Sequence, residues 1–104
     1  MPLSKKHLFD LELQLTAGYG HVVSHPARIL TLRLLDREQC AAYTDIVNYL
    51  PLSETAVSNH LRTLERHGLI HCAHLSGQIA GYTLRQAVFE EANDLLANCL
   101  REQR

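Results

Sequence analysis

Thr55, Ser58, Asn59 and Arg62 stand three, one and three residues apart, within a stretch from Leu52 to Ile70 that reads as one helix. That spacing puts all four on one helical face. The first three are short and hydrogen-bonding, whereas a purely solvated face carries more Glu and Lys. Such a face suits a helix lying against nucleic acid, where hydroxyls and amides reach base edges and Arg reaches bases or phosphates. Thr55, Ser58 and Asn59 are expected to read bases in a major groove. Arg62, nearer the helix end, is expected to hold phosphate. Ser53 is expected to cap the helix and donate to phosphate. His60 precedes an apolar Leu61 and has two readings, a half-buried structural histidine or a phosphate contact. Gln78 is a last candidate contact, the only long polar side chain in the turn Ser76-Gly77-Gln78.

The other reactive side chains form no comparable pattern. Cys40, Cys72 and Cys99 are an odd number with no paired framework, as expected of reduced thiols in the cytoplasm. Free cysteines commonly sit buried as small apolar residues. Cys72 and His74 lie two apart on a predicted strand and share a face. His67 and His71 are four apart, but Gly68 interrupts the helix between them. No Cys-x-x-Cys or His-x-x-x-His lies on continuous structure, so no metal ligands and no cofactor are assigned. An enzyme needs a nucleophile, a base and a pocket. No Gly-rich loop, carboxylate pair or ligand cluster supplies them, so no catalytic residue is assigned.

The 104 residues suit one domain, and 46% hydrophobic content excludes a disordered tail. Leucine dominates and aromatics are few, which favours helices. A net charge of −1 counts against a broad basic footprint for nucleic acid but permits Lys and Arg gathered on one face. Asp10 and Glu12 break any apolar run at the start, so no signal peptide is expected, and no stretch is apolar enough to span a membrane.

The elements that must position these residues follow from the same pattern. Residues 4–24 read as an apolar helix capped by Ser4, with Leu8, Leu11, Leu15, Tyr19, Val22 and Val23 on one side and a weakening at Gly18 and Gly20. Ser24-His25-Pro26 restarts a helix over 26–36, with Pro26 at the first helical position. Ile29, Leu30, Leu32, Leu34 and Leu35 make it deeply buried. A short helix over about 43–50 buries Ile46, Val47 and Leu50, and Pro51 stops it. The next helix is capped by Ser53, buries Val57, Leu61 and Leu64, and ends at Gly68. Two helices joined this tightly, the second with a polar face, form a helix-turn-helix over about 43–67. Leu69–Leu75 and Ile79–Leu84 read as a hairpin over 69–84, a wing. A last helix over 85–101 carries the stripe Val88, Phe89, Ala92, Leu95, Leu96, Cys99 and Leu100. The expected fold is mainly α with a small β-hairpin, a single winged helix-turn-helix domain over 1–104. Its first and last helices are read as the surface of a homodimer.

The pattern Leu52-Ser53-x-x-Ala56-Val57-Ser58-x-His60-Leu61-x-x-Leu64-x-x-x-Gly68-Leu69-Ile70 resembles the recognition helix and wing entry of arsenic-repressor-type (ArsR-type) bacterial regulators. Pro26-x-Arg28-Ile29-Leu30 resembles the start of that family's second helix. The likeness covers about residues 20–84. It implies a homodimer that binds double-stranded DNA at an operator and represses transcription, often until an effector releases it. The family's sensing motifs are absent. Ala42-Tyr43-Thr44 stand before Asp45 where many members carry Cys-x-Cys, and no histidine follows His74. Arg33 stands where redox members carry the partner of a cysteine such as Cys99. The effector is therefore left unassigned. Two alternatives stay open: a metal- or thiol-redox-responsive version of the same regulator, or a winged-helix module for protein contact without DNA binding. The absence of Lys and Arg from residues 69–84 favours the latter and predicts a weakly anchored wing.

Overall fold

Asp10 begins the first helix that the structure, a computed structural model describing residues 9–77 and 79–102, contains. Its carboxylate accepts from the Leu13 N–H at 2.9 Å, and α1 then runs Leu11–Val22. Ser4, Leu8 and the rest of residues 4–8 lie outside the described residues, as does Gln78. The helix passes Gly18 and Gly20 without a break and stops two residues before the expected end.

Helix α2 (Pro26–Glu38) starts as expected, with Pro26 in the first turn and His25 as its cap. It outlasts the expected end at residue 36 and is closed by Gln39, whose φ of 71° turns the chain sharply. Leu32, Leu34 and Leu35 are buried, while Ile29 and Leu30 are only half-buried. Thr31 is fully buried too, its hydroxyl satisfied by the Ala27 carbonyl at 2.7 Å.

The turn after α2 leads into a strand the sequence pattern does not announce, β1 (Cys40–Ala42), before α3 (Tyr43–Tyr49). Helix α4 (Glu54–Arg66) follows, then β2 (Ile70–His74), β3 (Ala80–Leu84) and α5 (Gln86–Ala97). The expected hairpin is thus part of a three-stranded antiparallel sheet in the order β1-β3-β2. β3 pairs Thr83 with Cys40 on one side and with His71 on the other. Three residues, two of them alanines, have no strand propensity of their own. Pairing with the β3 edge makes them a strand.

The core gathers Val22, Leu35, Ile46, Val57, Leu61, Leu64, Leu69 and Ile70, all essentially inaccessible, from α1, α2, α3, α4 and the start of β2. Helix α5 packs beside α1, and the Tyr19 hydroxyl donates to Glu91 Oε2 at 2.7 Å. That bond, with burial and the carboxylate charge, pushes the Tyr19 pKa up to about 12. α5 ends at Ala97 rather than 101, because Asn98 is a poor helix residue that competes for backbone hydrogen bonds. Ala92 is buried and Val88, Phe89, Leu95 and Leu96 pack on the core, but Leu100 is exposed. No helix among the described residues is long and apolar enough to cross a membrane. The arrangement is a winged helix-turn-helix.

Gly81 lies where β1 and the β2–β3 turn converge. A Cβ there would meet the Ala41 carbonyl oxygen at 2.5 Å and Leu75 Cδ1 at 2.6 Å. One neighbour is backbone, so the sheet itself must shift. Gly81→Ala is expected to destabilise the fold by about 1–3 kcal/mol. A melting temperature equal to wild type would show that β1 does not hold β3 this closely.

Candidate nucleic-acid interface

Helix α4 has two distinct faces. Val57, Leu61 and Leu64 are buried to 1% exposure or less, while Thr55, Asn59 and Arg62 are exposed on the other side. The helix is held at both ends. Ser53 Oγ accepts from the Ala56 N–H at 3.2 Å, as expected of the cap, and its own proton stays available. At the far end the Leu69 N–H reaches the Leu64 carbonyl at 3.1 Å and the Gly68 N–H reaches Glu65 at 3.0 Å. Gly68 has φ 78°, so this is the left-handed stop read from the sequence. Glu65 Oε2 also accepts from the Cys72 N–H at 3.3 Å, tying the helix end to β2.

The polar residues are not equally free. Arg62 Nη1 donates to Asn59 Oδ1 at 3.1 Å, so these two are paired on the open face. Ser58 is half-buried, and its hydroxyl lies 2.8 Å from that of Tyr43 on α3. The Tyr43 hydroxyl also donates to Glu54 Oε1 at 3.1 Å. Sequence reasoning missed Tyr43, whose only signal was an aromatic at the entry of the helix preceding α4. Gln78 lies outside the described residues, and beside it Ile79 is exposed.

His60 turns inward. Its Nδ1 accepts from Arg28 Nε at 3.1 Å, and its ring lies 4.2 Å from that of His25, tilted by 43°. Arg28 Nη1 also donates to the Val22 carbonyl at 3.1 Å and to that of His21 at 3.3 Å. One guanidinium thus joins the end of α1, the first turn of α2 and the middle of α4. Of the two readings of His60, these contacts support the structural one. Burial first, then the neighbouring His25 and Arg28, lower its pKa from the ordinary imidazole value. The neutral ring keeps its proton on Nε2 and its lone pair on Nδ1 for Arg28.

Cys40, Cys72 and Cys99 are all exposed, against the expectation that free cysteines are buried. Among the described residues no three His, Cys, Asp or Glu side chains are grouped to hold a metal ion. The arrangement offers a framed polar helix face.

Residues 25–71, from the cap of α2 to the second residue of β2, match the family described as bacterial regulatory protein, arsR family. Comparison with curated proteins returns no match. Several solved structures share the fold. One is that of a possible transcriptional regulator for arsenical resistance, 22% identical over 82% of this chain and 86% of that one, with TM-score 0.70. Another is Rv0081 of M. tuberculosis, 24% identical over 88% and 95%, with TM-score 0.64. NolR of Sinorhizobium fredii is 26% identical over 91% of this chain and 92% of its own, with TM-score 0.62.

The lowered pKa of His60 has a consequence for stability. As pH falls through about 6.5, the unfolded chain protonates this ring while the folded one resists. The unfolded state then binds more protons, so stability falls, and the decline is complete below the lowered folded value. His60→Asn keeps an acceptor for Arg28 that does not titrate. Its melting temperature is expected to fall less than that of wild type between pH 7 and pH 5. Parallel profiles would show that the Arg28–His60 contact contributes nothing to the acid response.

Proposed function

We propose, for a chain that carries an arsR-family regulatory domain over residues 25–71, that it binds a palindromic operator in double-stranded DNA as a homodimer and represses transcription. The observation that carries this reading is the exposed row of Thr55, Asn59 and Arg62, backed by a fully buried stripe on a helix fixed at both ends. Such a helix enters a major groove without deforming its own fold. Asn59 would hydrogen-bond a base edge with both its amide atoms, giving up its Arg62 partner to do so. Arg62, so released, would turn to a phosphate. Ser53 would donate to a phosphate from the helix start, and Thr55 would contact a base. His60 would act through Arg28, setting the angle of the helix. Gln78 remains the wing's candidate contact.

A dimer is supported by the apolar side chains left uncovered on and before α1. Phe9, Leu11 and Leu13 are 60%, 68% and 53% exposed, and Leu100, just after α5, is exposed as well. Large apolar side chains left this exposed on a helix and beside its neighbour are ones that a partner subunit would cover. Two-fold pairing there would bring two α4 helices to successive major grooves, about 34–36 Å apart. Two Leu→Ser changes, at Leu11 and Leu13, are expected to give a folded monomer by sedimentation. A double variant that still sediments as a dimer places the interface elsewhere.

Selection of bound duplexes from a random pool tests the whole reading. A two-fold symmetric site should emerge. Asn59→Ala should relax preference at one position in each half-site while fold and dimer persist. Arg62→Ala should weaken all sites alike and make the log–log salt slope shallower by about 0.9 for each phosphate that is no longer neutralised. Recovery of no duplex by folded dimer would favour a role in protein contact, as the uncharged wing suggests.

A further inference from the structure

Tyr43 stands outside the polar row of α4, yet it is the only protein partner of the Ser58 hydroxyl among the described residues. Thr63 on the same helix sends its proton to a backbone carbonyl four residues back, at 3.1 Å, and Ser58 does not. The protons of this triad can be assigned from chemistry alone. An ionised carboxylate accepts and cannot donate. Glu54 Oε1 lies 3.1 Å from the Tyr43 oxygen, so the single phenolic proton points to Glu54. The Tyr43 oxygen then has only lone pairs for Ser58, and the 2.8 Å contact requires the Ser58 proton to fill it. The reverse order would set lone pairs of Tyr43 against the carboxylate.

We propose that Tyr43 is a specificity-determining residue that fixes Ser58 as an acceptor, so that α4 selects bases presenting an amino group in the major groove. This rests on the DNA-binding reading above. A free serine hydroxyl rotates and serves donors and acceptors alike. With its proton held by Tyr43, Ser58 has lone pairs only for DNA. Adenine N6 and cytosine N4 offer donors in the major groove, while guanine O6 and thymine O4 offer acceptors. On the strand it contacts, Ser58 therefore favours adenine or cytosine over guanine or thymine. Thr55, exposed and with no side-chain hydrogen bond among the described residues, has no such constraint.

The experiment is duplex selection followed by affinity measurement on every single-base variant of the selected site, for wild type, Ser58→Ala and Tyr43→Phe. Ser58→Ala locates the base position that Ser58 reads, as the one position where preference disappears. At that position wild type should favour adenine or cytosine by several-fold, up to roughly tenfold, over guanine or thymine. Tyr43→Phe, which removes one oxygen and leaves the ring, should bring that ratio close to one and leave other positions alone. Glu54→Gln, whose amide donates as well as accepts, should relax the same position. An unchanged preference in Tyr43→Phe overturns the inference while leaving DNA binding in place. So does a Ser58→Ala variant that weakens every sequence equally, the mark of a phosphate contact. Failure of folded wild type to select any duplex overturns the DNA-binding reading and this inference with it.

Discussion

Three helices meet at the guanidinium of Arg28. It takes up the last carbonyls of α1, where the helix dipole favours a positive charge, and through Nε it grips His60 in the middle of α4. Hydrogen bonds from a charged donor are about twice as strong as neutral ones. The planar fork also fixes direction, which a lysine at the same place would not. The helix that carries the polar row is thereby referred to α1, and α1 is bound through Tyr19 to α5. Any surface formed by α1 and α5 is thus in rigid register with the face of α4. Two half-sites can be read at a fixed spacing only if such a register exists.

The face of α4 achieves definition without much charge. Glu54 and Glu65 stand on the same helix as Arg62 and Arg66, so the local field is mixed. Positioning replaces attraction here. Ser53 and the Gly68 stop fix the ends, the buried stripe fixes the rotation, and Tyr43 fixes the orientation of one hydroxyl. Binding that draws less on counterion release must draw more on fitted hydrogen bonds, which discriminate among sequences.

Strong periodic signals were legible in the sequence. The cap at Ser53, the stripe Val57, Leu61 and Leu64, and the stop at Gly68 are local features, and each sits where its residue type demands. Most of what escaped was made by tertiary contact. β1 is three residues whose only claim to be a strand is the neighbouring edge of β3. The Asp10 cap of α1 is a local contact with the Leu13 N–H, but the apolar period of the helix does not single it out. Arg28 was visible as part of a motif, but its work depends on His60, 32 residues away. Tyr43 reaches Ser58 across the turn, and no periodicity links an aromatic on one helix to a hydroxyl on the next.

β1 pairs with residues 81–83 of β3 and no further, so the hairpin is hung from the link between α2 and α3 by its base. Beyond Gly81, Ala80 is paired with His74 of β2 and with no residue of β1. Changes of length or charge in that outer part leave the registry of the helices untouched. The tip can therefore vary as a modular appendage, and under the DNA-binding reading proposed above a basic or longer tip grafted there would retune affinity for the backbone while α4 stays as it is.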